Sequence, residues 1–64
     1  MNTPEYWSNE AGKLYEEATK IKDEARKSDK NLLLYEQAAE KYLFAANAYE
    51  KYLEFPEVTN INNI

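Results

Sequence analysis

The nucleophiles this chain offers are Ser8, Ser28 and its lysines, and it contains neither histidine nor cysteine to activate them. A serine needs a positioned base, and a lysine needs burial that lowers its pKa; nothing in the sequence supplies either. Two pairs of neighbouring carboxylates, Glu16 with Glu17 and Asp23 with Glu24, are the right groups for general acid–base work. That chemistry requires a cleft that drives their pKa values apart. These pairs fall on the outer face of a helical stretch with no loop to enclose them, so they read as solvated surface. The usual zinc ligands are missing, which leaves only a carboxylate site conceivable. A single glycine cannot form a phosphate-cradling loop. No catalytic, cofactor-binding or metal-ligating residue is assigned, and the chain is expected not to be an enzyme.

Charge narrows the partners. Twelve acidic residues against eight basic ones give a formal net charge of −4, the opposite of a nucleic-acid-binding surface. Lys20, Lys22, Arg26, Lys27 and Lys30 cluster, but Glu16, Glu17, Asp23 and Glu24 are interspersed. The reading is a solvated helix face rather than an anion strip. No apolar run approaches the ~18 residues of a membrane span, and no signal-peptide pattern opens the chain. Residence inside the cell is expected, cytoplasmic or nuclear unresolved, with no membrane insertion.

The elements that carry these residues are helices. Thr3 is suited to an N-cap, Pro4 to the first helical position and Glu5 to the positive end of the helix dipole. Apart from Gly12, no glycine or proline follows until Pro56, and Ala, Glu, Lys and Leu dominate. Trp7, Ala11, Leu14, Ala18, Ile21 and Ala25 recur at alternating steps of four and three. After Ser28 the rhythm resumes with Leu32, Tyr35, Ala39, Tyr42, Ala46, Tyr49 and Leu53. Such alternation marks a helix presenting one narrow seam to another helix, and the alanines let the axes approach closely.

The polar run Lys27–Asn31 separates the two blocks. A turn there gives an all-α antiparallel hairpin with helices at about 4–28 and 31–54, and residues 55–64 form an irregular tail beyond Pro56. Ile61 and Ile64 in that tail are expected to fray. The competing reading is one continuous helix of roughly 50 residues, ~75 Å long at ~1.5 Å per residue.

Six tyrosines, two phenylalanines and one tryptophan are many for 64 residues. The seam tyrosines read as rings packed against small residues of the first helix, and Tyr6 with Trp7 as cover for the hairpin's open end. The second helix is apolar over more than its seam, so Leu34, Phe44, Ala48 and Tyr52 are the candidates for binding protein. A chain this short buries only about 60% of its unfolded surface and rarely gains more than ~3–5 kcal/mol from one core. Pairing of two hairpins into a four-helix bundle dimer would supply the rest.

The run Ala48-Tyr49-Glu50-Lys51-Tyr52-Leu53-Glu54-Phe55-Pro56 resembles the second helix and closing proline of a tetratricopeptide repeat, with Tyr52 where a small residue is usual. Leu34-Tyr35-Glu36-Gln37-Ala38-Ala39-Glu40-Lys41-Tyr42-Leu43-Phe44-Ala45 is similar to the second helix of microtubule-interacting-and-trafficking domains, adaptors for helical tails. Tyr6-Trp7-Ser8-Asn9-Glu10-Ala11, with Tyr35-Glu36-Gln37-Ala38-Ala39 and Asn47-Ala48-Tyr49-Glu50, resembles the C-terminal homology domain of ALF-type super elongation complex scaffolds, which dimerises. What the three resemblances imply in common is a helical hairpin that recognises protein. The expected function is a non-catalytic protein–protein interaction and homo-oligomerisation module, tetratricopeptide-like, with no cofactor. Its alternatives are a continuous coiled-coil structural protein and a piece of a transcription-elongation scaffold or trafficking adaptor.

Overall fold

A computed structural model of the chain describes residues 2–29 and 31–59. Helix α1 spans Pro4–Lys27 and α2 spans Leu32–Leu53. Both start on side-chain caps. The Thr3 hydroxyl accepts the Tyr6 N–H at 3.2 Å, and the Asn31 side-chain oxygen accepts the Leu34 N–H at 3.2 Å. Each satisfies a backbone donor that the helix itself leaves unpaired.

The continuous helix is overturned at Ser28–Asn31. The Ser28 N–H still reaches Glu24 at 3.0 Å, but Asp29 takes a left-handed conformation with φ of 61°, which aspartate tolerates better than most residues. The chain then turns back on itself. Trp7 lies beside Lys51 and Glu17 beside Lys41, so advancing along α1 means retreating along α2. This is an antiparallel hairpin.

The expected irregular tail contains one helical turn, α3, at Pro56–Thr59. Pro56 ends α2 because it has no N–H to donate, yet it opens the next turn for the same reason. The Val58 N–H closes onto the Phe55 carbonyl at 3.0 Å. Ile61 and Ile64 lie outside the described residues.

The hairpin is a single layer of two helices. Its Cα extents are 49 × 24 × 13 Å and its radius of gyration is 14.8 Å, against roughly 11 Å for a compact chain of this length. The residues buried between the helices are Ala11, Ala18, Ala25, Ala38, Ala45 and Ala48. Among the described residues no larger side chain is buried. Alanine on both facing stripes draws the axes together and pushes every larger group to the edges.

Candidate interaction surface

On α1 the contact stripe is the one its spacing predicts. Ala11, Ala18 and Ala25 are buried, and Trp7, Leu14 and Ile21 flank them half-buried. On α2 the contact stripe lies one residue earlier than predicted. It runs through Leu34, Ala38, Lys41, Ala45, Ala48 and Tyr52, all buried or half-buried. The predicted seam residues Leu32, Ala39, Ala46, Tyr49 and Leu53 are instead exposed, and Tyr35 and Tyr42 sit half-buried at the boundary. One residue is ~100° around a helix, so α2 bears two adjacent stripes of the same 4-3 rhythm, one engaged and one free.

Lys41 hides the engaged stripe from a reading of the sequence. A charge in the middle of a seam breaks its apolar pattern, yet lysine lays an aliphatic stem along apolar surface and keeps its head in water. Here the Lys41 ammonium reaches Glu17 at 3.3 Å. Both side chains are more than a third exposed, so the pair contributes about 0–1 kcal/mol and mainly fixes where the stem lies. Along α1, Glu16 with Lys20 and Asp23 with Lys27 stand four residues apart, but neither pair closes within 4 Å among the described residues.

The protein-binding candidates named from sequence divide accordingly. Ala48 is buried, and Leu34 and Tyr52 are half-buried, all in the interhelical contact. Phe44 alone of the four is exposed, at 45%. It stands with Tyr6, Trp7 and Leu14 along a shallow groove on one side of the hairpin.

The opposite side holds the larger groove, about 490 Å³, running between the helices. Its floor is small: Ala11 and Gly12 from α1, Ala45 and Ala46 from α2. Tyr15, Tyr42 and Tyr49 form its walls, with Ser8 at one end. Tyr15 and Tyr42 meet edge to face with ring centres 5.4 Å apart. The Thr19 hydroxyl donates its single proton to the Tyr15 carbonyl at 3.0 Å, so it accepts from the Tyr42 hydroxyl at 3.2 Å. Tyr42 is thereby held upright as a fixed wall. Tyr49 lies against Tyr52 at 5.5 Å and stays 51% exposed.

At the open end of the hairpin Trp7 is half-buried, edge-on to Tyr6 at 5.0 Å, with the Lys51 ammonium 6.0 Å from its ring centre. Glu16, Asp23 and Glu24 are exposed. Among the described residues no three carboxylates converge, and no helix is long and apolar enough to cross a membrane. The surface this hairpin presents is therefore an open aromatic-walled groove with a floor of small residues, beside a second free apolar stripe. No family model, no curated protein and no solved structure matches the chain.

Proposed function

We propose that this chain is a non-catalytic, tetratricopeptide-like protein-interaction module that pairs through its exposed apolar side into a four-helix dimer. The observation that carries this reading is the mismatch between core and surface. Among the described residues the buried ones are all alanines, whereas Tyr15, Leu32, Leu33, Leu43 and Tyr49 are each more than half exposed. A one-layer hairpin cannot cover both stripes of α2 by itself, and apolar area left in water drives association. The groove is long and open rather than enclosed, which fits a helix better than a small molecule. The absence of histidine and cysteine from the sequence, with Glu16, Asp23 and Glu24 exposed and Glu17 held by Lys41, favours binding over chemistry.

Sedimentation equilibrium tests it. The chain should be a dimer or larger at micromolar concentration and should dissociate on dilution. A folded monomer at every concentration would remove the self-association part of the reading.

A further inference from the structure

The free stripe of α2 has a size pattern that selects its occupant. Leu32, Ala39, Ala46 and Leu53 alternate with three tyrosines at steps of three and four, a rhythm that meshes with another helix. When two such stripes run antiparallel, Ala39, Ala46 and Leu53 each face a tyrosine of the other copy. Small residues then meet rings: Tyr42 faces the partner's Ala46, and Ala39 faces the partner's Tyr49. A parallel pairing would stack alanine on alanine and tyrosine on tyrosine, leaving gaps beside crowding in what must be a close-packed layer.

We propose that the occupant of this face is a second copy of the chain, with the two α2 helices packed antiparallel along the free stripe. The proposal rests on the self-association reading above and adds the face and the direction. The same alignment brings Leu43, 58% exposed, beside its own counterpart across the twofold axis.

Gly12 is an independent sign. It is the chain's one glycine, in the middle of α1 on the groove floor, where glycine is a poor helix former. A Cβ added there would meet no atom within 4 Å. The hairpin's own packing does not call for the missing side chain, whereas a helix lying across the floor would approach closest where it is missing. The rim carries Glu36 and Glu50, which this alignment sets opposite each other between copies. Like charges facing across a pair oppose it, and that makes the direction testable.

Sedimentation equilibrium of the whole chain reads out four single variants, with circular dichroism confirming that each remains helical. Ala46→Arg, on the free stripe, should weaken the dimer by more than about tenfold, because it buries an unpaired charge. Leu33→Arg, on the opposite flank, should leave it unchanged. Glu36→Lys should tighten it several-fold, since each introduced ammonium then faces the partner's Glu50. In a parallel dimer the same change would set the two new ammonium groups against each other and give no gain. A dimer kept by Ala46→Arg and lost in Phe44→Arg would move the interface to the other groove and overturn the proposal while self-association stands. A dimer weakened by Glu36→Lys would overturn the antiparallel direction. A wild-type chain that stays monomeric would overturn both this proposal and the self-association beneath it.

Discussion

Helices α1 and α2 are nearly equal in length, and both carry alanine every seven residues, yet they use their surfaces differently. Outside one stripe, α1 is largely polar, and that stripe is fully engaged by the other helix. Helix α2 has two stripes side by side and can close only one within the hairpin. The choice falls on the stripe with smaller residues at its centre. Ala38, Ala45 and Ala48 permit close approach to Ala11, Ala18 and Ala25, while Tyr35, Tyr42 and Tyr49 would hold the axes apart. Tyrosine at the boundary also keeps its hydroxyl within reach of a partner, as Tyr42 does with Thr19. Side-chain size, rather than hydrophobicity, decides which face closes.

The strongest way to break this comparison is to enlarge an alanine on each helix. Ala18 is fully buried, so Ala18→Leu should cost about 1–3 kcal/mol, most of what so small a core provides. Thermal unfolding at low concentration should show a fall of several degrees per kcal/mol. Ala39→Leu, on the free stripe, should change monomer stability by less than about 0.5 kcal/mol. Equal losses from the two would mean that both stripes are closed. A smaller effect sharpens the contrast at Gly12. Because a Cβ there meets nothing, Gly12→Ala should stabilise the hairpin by up to about 0.8–1 kcal/mol, measured by denaturant unfolding below the dimerisation range. A loss instead would place an unseen contact on that face of α1. The smallest change concerns Lys41. Lys41→Met keeps the stem and removes the charge, so stability should move by less than about 0.5 kcal/mol, with little dependence on salt. A loss beyond about 1 kcal/mol would make the Glu17 pair a structural requirement.

How far the sequence reveals this molecule differs between the two helices for the same reason. For α1 a single apolar stripe leaves one phase, and Trp7 through Ala25 can be assigned by counting. The caps at Thr3 and Asn31 and the polar break before α2 are equally local, since each is decided by residues adjacent in the chain. For α2 the spacing supports two phases a residue apart. Counting favours the uninterrupted one, through Leu32 and Tyr49, over the one containing Lys41. What separates them is a contact with another helix, and periodicity within one helix does not contain it. The binding candidates inherit the error: counting puts Ala48 outside because it puts the wrong stripe inside. The free stripe is thus visible in the sequence, with its role reversed. The turn at Pro56 escapes for a different reason, because proline read only as a stop also suits the start of the next helix.

An all-alanine interior has a consequence for when order is acquired. Alanine has no rotamers to surrender on burial, so closing the hairpin fixes the backbone while exposed large side chains such as Leu32, Leu33, Leu43 and Leu53 keep their freedom to turn. Those side chains become immobile only when something settles on them, at about 0.5–1.5 kcal/mol for each one held. Entropy that most small domains lose in folding would here be deferred to the moment of the proposed association. A pairing would carry that deferred cost, which lowers affinity for a given contact area. The pairing proposed above would in this sense form, part and form again.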